Sequence, residues 1–169
     1  MSAVSAFIKD YGPAGAWVVA AVGWLVANKQ ANKREVRKEV RAEIDDIARI
    51  GKGILTELQK YYATDTGSDA ALLSELTIKA SFKELDLRFD RLHSRGLAEF
   101  PVGGLVAANE PREAFFDLAT GVHFETSSRP AAAERSNLIV RQTNACLQLT
   151  EALHAQFLRE FDGVPSAHS

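Results

Sequence analysis

The chain of 169 residues has the length of one domain, or of a small domain with an added segment. Hydrophobic residues make up 46% of it and charged residues 25%, which excludes a disordered chain and a collagen-like one. The one cysteine, Cys146, excludes a disulfide scaffold and an all-cysteine zinc site and is typical of a reducing compartment. The net charge of −2 is unevenly placed: residues 29–41 carry six Lys/Arg against two Glu, and residues 42–169 carry thirteen Lys/Arg against nineteen Asp/Glu.

The amino-terminal segment contains eighteen consecutive uncharged residues, 11–28. Eighteen residues are about the shortest helix that crosses a hydrocarbon core of about 30 Å, and the segment lacks the polar face of a core helix. The sequence therefore predicts a transmembrane helix over 11–28, preceded by a short extracytoplasmic N-terminus, 1–10. The competing interpretation is a buried or interfacial helix, because the strictly apolar run Ala14–Ala27 has only fourteen residues.

A basic row follows this segment directly and consists of Lys29, Lys33, Arg34, Arg37, Lys38 and Arg41. Because Lys and Arg are retained on the cytoplasmic side of a span, the row predicts a single-pass protein of the cell inner membrane with most of its chain cytoplasmic. The same residues are expected to contact anionic lipid of the bilayer. Nucleic acid is not an expected partner, since the rest of the chain is acidic. A stripe of small residues predicts packing between membrane helices: Ala16, Ala20, Gly23 and Ala27.

The remaining chain predicts an all-α fold, in which the membrane helix continues into a cytoplasmic antiparallel helical bundle. The first bundle helix, 29–63, has a coiled-coil-like apolar seam with Gly51 in its gap: Val40, Ile44, Ile47, Ile54, Leu58 and Tyr61. The second helix, 69–95, is capped by Ser68 or Asp69 and ends in a basic turn with Gly96. Its seam is Ile78, Phe82, Leu85, Phe89 and Leu92, with Leu72, Leu73 and Leu76 leading into it.

The third bundle helix is predicted over 128–162, with Ser128 as its cap, and a tail follows over 163–169. Its apolar stripe is Ile139, Cys146, Leu149, Leu153, Phe157 and Phe161. The connection 96–127 is apolar and is expected to contain a short helix that starts near residues 109–111. We expect this connection to fold over one end of the bundle.

Two carboxylate–histidine pairs, Asp90 with His93 and Glu151 with His154, have the i, i+3 spacing used by metal sites in four-helix bundles. Glu57 and Glu113 are the nominal further ligands. Both pairs fall beside the apolar stripes of their helices, so solvated helix faces explain them better, and no metal, cofactor or catalytic residue is assigned. Cys146 lies on an apolar stripe, where a thiol is usually a buried hydrophobic group and not a nucleophile.

Uncharged polar residues are unusually dense on the third bundle helix, and three of them together with an arginine predict a face for a protein partner: Asn137, Arg141, Asn144 and Gln148. The leading functional hypothesis is a membrane-anchored binding or scaffold protein that presents its bundle to another protein or to a copy of itself. One alternative is an effector that permeabilises the membrane when its span oligomerises. A second is a metal-binding bundle enzyme built on the two carboxylate–histidine pairs. No small-molecule substrate is identified.

Overall fold

The computed structural model describes residues 3–94, 106–126 and 129–162, and these residues form helices and turns without a strand. The helices are α1 (Ala3–Ala63), α2 (Asp69–Leu92), α3 (Val106–Ala119) and α4 (Ala132–Asp162). The prediction of an all-α protein is therefore confirmed. The chain divides into two compact units, Met1–Glu39 and Val40–Ser169.

The first unit is the amino-terminal part of α1. Within the part of the chain that the structure describes, no helix combines the length and the apolar character that a membrane span requires. The predicted transmembrane helix over 11–28 and the predicted single-pass localisation in the inner membrane are therefore wrong. The physical reason lies in composition and not in helix formation: the strictly apolar run Ala14–Ala27 would extend over about 21 Å, against about 30 Å of hydrocarbon. Its glycine and tryptophan residues also lower its mean hydropathy.

The second unit contains the hydrophobic core, to which α1 to α4 all contribute. The predicted seams of α1 and α2 are confirmed, because all of their apolar members are buried. On α4, Ile139 and Phe161 are half-buried, and the buried members of the predicted stripe are Cys146, Leu149, Leu153 and Phe157. Polar contacts also join the helices: Arg88 Nη1 of α2 donates to Glu43 Oε2 of α1 at 2.9 Å and to Asp46 Oδ2 at 2.8 Å.

The start of α2 differs from the prediction. Ser68 is the N-cap, and its hydroxyl accepts a hydrogen bond from the backbone N–H of Ala71 at 3.2 Å. With this register, Ala71 and Ser74 take the buried positions that precede Ile78. The three leucines predicted to lead into the seam therefore point away from the core, with exposed fractions of 52% for Leu72, 67% for Leu73 and 62% for Leu76.

The connection between α2 and α4 contributes a fourth helix to the core. α3 begins at Val106, three residues before the predicted start, and holds Pro111 within the helix. Phe115 and Ala119 are fully buried, and α3 packs against α4. α4 itself begins at Ala132, four residues after the predicted start and two residues after Pro130. The predicted cap Ser128, the predicted terminator Gly96 and the tail 163–169 lie outside the described residues.

Candidate partner-binding face of α4

The four residues predicted to contact a partner share one side of α4. Asn137, Arg141, Asn144 and Gln148 follow one another in steps of four, three and four residues, which places them on one helix face. All four are exposed. The opposite side of α4 carries its buried residues, so this polar row is on the outward side of the helix. That a partner binds there stays a prediction.

Exposed apolar side chains lie beside this polar row. Val140 is 56% exposed, Leu147 is 51% exposed and Leu158 is 43% exposed. Val140 and Leu147 are seven residues apart and so lie two turns apart on one face. α4 is thus apolar on two sides, one buried in the core and one exposed. We call the exposed combination of the polar row with Val140, Leu147 and Leu158 the outward face of α4.

A groove of about 370 Å³ lies at the amino-terminal end of this face. Asn137 and Arg141 belong to the groove as well as to the polar row, and Val122 in its lining is 85% exposed. The remaining lining residues come from the carboxyl end of α3, the turn after it, α1 and α4: Tyr62, Asp117, Leu118, Gly121, His123, Glu134 and Leu138. The volume is within the range of sites that accept a small ligand or an inserted side chain.

The groove contains both positively and negatively charged side chains. His123 Nε2 lies 3.1 Å from Glu134 Oε1, and the buried Nδ1 of the same ring has no hydrogen-bond partner among the described residues. Burial raises the pKa of the Tyr62 hydroxyl, so this group is neutral at physiological pH. Since Arg141 supplies a positive charge beside Asn137, the groove offers donors to a polar or acidic side chain.

One buried residue fixes the relative position of the groove's two walls. Gln142 is fully buried, and its Nε2 donates to the carbonyl oxygen of Leu118 at 2.8 Å and to the Tyr62 hydroxyl at 3.4 Å. Leu118 belongs to the last turn of α3, where carbonyl groups lack partners within the helix. The side chain of Gln142 therefore caps α3 and ties it to α4.

The small stripe and the basic row of α1 are exposed wherever their side chains are described. Ala20, Gly23 and Ala27 of the small stripe are exposed, whereas only the backbone of Ala16 is described. All six residues of the basic row are exposed, and Lys38 Nζ lies 3.8 Å from Glu35 Oε2. The roles predicted for both sets depended on the spanning helix that is not found.

The carboxylate–histidine pairs do not come together with further ligands. Asp90, His93 and Glu151 are exposed and His154 is half-buried. Over the ranges that the structure describes, no group of three or more His, Cys, Asp or Glu side chains could hold a metal ion. Glu57, a nominal further ligand, instead pairs with Lys60 at 2.6 Å. Cys146 is buried, and this burial raises the pKa of its thiol, as expected for a residue of the core.

No protein-family model matches the chain, and no curated protein or solved structure is significantly similar to it. Functional inference therefore depends on the faces that the fold exposes. Sequence reasoning found the polar row of α4 but missed two features: the groove wall at residues 117–123 and the exposed leucines of α2. The sequence does contain a signal that Leu72, Leu73 and Leu76 are exposed. The 4-3 steps through Ile78 and Leu85 define one buried stripe, and these three leucines do not lie on it.

Proposed function

We propose that this chain is a helical binding and scaffold protein that holds an amphipathic helix of a partner protein on the outward face of α4. The observation that carries this proposal is the exposure of Val140 and Leu147 beside the polar row. An amphipathic helix is recognised by apolar anchors at positions such as i and i+7, surrounded by polar contacts. This face offers that combination.

The dimensions of the face suit a helix. From Val140 to Leu158 the exposed apolar residues extend over eighteen positions, which corresponds to about 27 Å along a helix axis. Asn144 and Gln148 supply amide groups that hydrogen-bond a partner without the desolvation cost of a full charge. An interface with an apolar centre and polar contacts at its edge is the usual composition of a protein–protein contact.

The groove determines where along α4 the partner helix binds. An anchor side chain of the partner that enters between Val122 and Asn137 would meet the guanidinium of Arg141 at its edge. A charge-assisted hydrogen bond from an arginine to a carboxylate is stronger than a neutral one. We therefore expect the partner helix to carry apolar residues two turns apart and an acidic residue near one end.

The test places a benzophenone photo-crosslinking residue at Asn144 of the full chain, and, as a control, at Lys52, which is exposed on α1. We expect a defined product at Asn144 that is absent at Lys52 and that maps to an amphipathic helical segment of one other protein. Leu147→Asp, at an exposed position, should abolish this product without unfolding the bundle. Identical products from both positions, or a product that Leu147→Asp leaves unchanged, would contradict the proposal. A product between two copies of this chain would assign the face to self-association instead.

A further inference from the structure

The side of α2 that points away from the core carries a second row of apolar residues, framed by one charge at each end. This outward stripe of α2 consists of Asp69, Leu73, Leu76, Ala80, Leu87 and Arg91. All six are exposed, and their steps of four, three, four, seven and four residues keep them on one helix face. The buried seam through Ile78, Phe82 and Leu85 lies on the opposite side. α2 is therefore apolar on two opposite sides, of which one has no cover in the described chain.

Four charged residues on the flanks of the stripe form ion pairs within the chain. On one flank Lys79 pairs with Glu75 at 2.9 Å and Asp86 pairs with Arg112 at 2.6 Å. On the other flank Arg88 pairs with Glu43 of α1 at 2.9 Å. These pairs hold their side chains to the sides of α2, while the exposed Lys83 and Glu84 border the stripe between Ala80 and Leu87.

About Ala80, four residues of the stripe form two complementary pairs, whereas the position symmetric to Leu76 is the exposed Glu84. Leu73 precedes Ala80 by seven residues and Leu87 follows it by seven. Asp69 precedes Ala80 by eleven residues and Arg91 follows it by eleven. Two copies of α2 that cross in antiparallel orientation at Ala80 would therefore bring Leu73 of each copy onto Leu87 of the other, and Asp69 of each copy onto Arg91 of the other. Such mutual contacts are the property of an interface with twofold symmetry.

We propose that the occupant of this stripe is a second copy of the chain, and that two α2 helices pair in antiparallel orientation about Ala80. The small side chain of Ala80 lets the two helices approach closely at the symmetry axis. The leucine contacts on either side bury apolar area, which stabilises the pair, and opposite charges meet at both ends. The parallel orientation is disfavoured, because it would place Asp69 against Asp69 and Arg91 against Arg91. The pairing involves α2 and does not depend on the role proposed for α4.

A charge-exchange series measured by sedimentation velocity of the full chain tests the pairing. We expect Asp69→Arg alone and Arg91→Asp alone each to weaken dimerisation by about tenfold, because each change sets like charges against one another twice per dimer. The double variant D69R/R91D should restore dimerisation, since the pairs are re-formed with exchanged signs. Lys52→Glu on α1, outside the stripe, is the control for altered net charge and should leave dimerisation unchanged. A double variant no better than the single variants would overturn the proposal.

Crosslinking tests the orientation directly. Chains with Asp69→Cys and chains with Arg91→Cys are prepared separately and treated with a short bis-maleimide. We expect crosslinks only when the two preparations are mixed, because in an antiparallel pair the two copies of position 69 are twenty-two residues apart, or about 33 Å along the helices. The wild-type chain is the control, since its lone cysteine is buried. A crosslink within either separate preparation, or none in the mixture, would overturn the proposal.

A final pair of variants separates this inference from the role proposed for α4. Leu73→Asp should abolish dimerisation and leave photo-crosslinking at Asn144 intact, whereas Leu147→Asp should do the reverse. Both leucines are more than half exposed, so neither change removes a core residue. Dimerisation that survives Leu73→Asp would show that another face joins the copies and would refute the assignment of the stripe.

Discussion

Gly51 of α1 lies directly against Cys146 of α4: a Cβ atom added at Gly51 would be 2.7 Å from the Sγ atom of Cys146. Both residues are buried in the core. The glycine therefore occupies the gap in the α1 seam because a larger residue would overlap the neighbouring helix. Gly53, two residues further along the same helix, is exposed and has no atom within 4 Å of an added Cβ.

These two glycines should respond to alanine with opposite signs. Gly53→Ala should raise the free energy of unfolding by about 1 kcal/mol, because alanine has the higher helix propensity. Gly51→Ala has the same propensity gain but adds an overlap in the core that costs about 1–3 kcal/mol, so we expect it to lower that free energy. Urea unfolding followed by circular dichroism measures both. Equal gains in the two variants would mean that α1 and α4 are not in close contact at Gly51.

Removal of the sulfur should relieve the overlap. We expect the double variant G51A/C146A to lose less stability than the sum of the single losses, by about 1 kcal/mol, because neighbouring core residues that share one space are not additive. The single variant Cys146→Ala leaves a small cavity and is destabilising by itself. A strictly additive double variant would contradict the contact.

The thiol of Cys146 should also be chemically protected. It is buried, and burial raises its pKa above the ordinary value of 9.0, whereas the thiolate is the form that reacts. We expect iodoacetamide to label Cys146 in the native protein at least tenfold more slowly than a cysteine placed at the exposed position Lys52. In denaturing urea the two rates should become similar. Fast native labelling of Cys146 would show that this part of the core opens readily.

The buried stripes of α1 and α2 could be predicted because each carries a regular 4-3 repeat. That repeat fixes which side of a helix is buried when one residue of the stripe is known, as with Ile54 on α1 and Ile78 on α2. It is harder to apply where a helix has two apolar sides: Leu72, Leu73 and Leu76 are as hydrophobic as the seam, and only their positions off the 4-3 steps through Ile78 indicate that they are exposed. The sequence predicts the start of α3 three residues too late, because proline favours the first turn of a helix whereas Pro111 lies inside α3.

The amino-terminal segment illustrates a different limit. A run of eighteen uncharged residues meets the requirements of length and charge for a membrane span. Crossing a bilayer also requires enough apolar character along that length. Residues such as Gly15, Trp17 and Gly23 satisfy the first condition and weaken the second. Of the candidate partner face, the polar row of α4 could be predicted from composition. Its apolar border and its groove depend on how α3 packs, which local sequence does not specify.

Gln142 offers a test of the link between α3 and α4. Its amide donates to the Leu118 carbonyl at 2.8 Å, and its own Oε1 has no partner among the described residues. Gln142→Ala should lower the free energy of unfolding by about 2–4 kcal/mol, because it leaves a cavity and removes the donor from the partly buried carbonyl of Leu118. Hydrogen exchange should then accelerate in α3 more than in α2. A uniform acceleration in both helices would show that the residue acts through packing alone.

The contact between α1 and α2 makes stability depend on pH. Asp46 accepts a hydrogen bond from Arg49 Nη2 at 2.8 Å and another from Arg88 Nη1 at 2.8 Å. These bonds, with that of Arg49 the largest influence, hold the pKa of Asp46 below its ordinary value of 3.8. The bond from Arg88 to Glu43 and the negative charges of Glu43 and Asp46, in turn, raise the pKa of the guanidinium, so it stays charged throughout the accessible range.

A carboxyl group whose pKa is lower in the folded than in the unfolded protein stabilises the fold above the unfolded pKa and loses this contribution as the pH falls through the folded value. We therefore expect the free energy of unfolding to fall as the pH is lowered from about 5 to below the ordinary aspartate range. Asp46→Asn should be less stable than the wild type at neutral pH, and the difference should shrink in acid. Urea unfolding at a series of pH values measures this, with Asp45→Asn, an exposed neighbour, as the control for loss of one negative charge. A difference between wild type and Asp46→Asn that stays constant across the series would show that the ion pair does not distinguish the folded from the unfolded state.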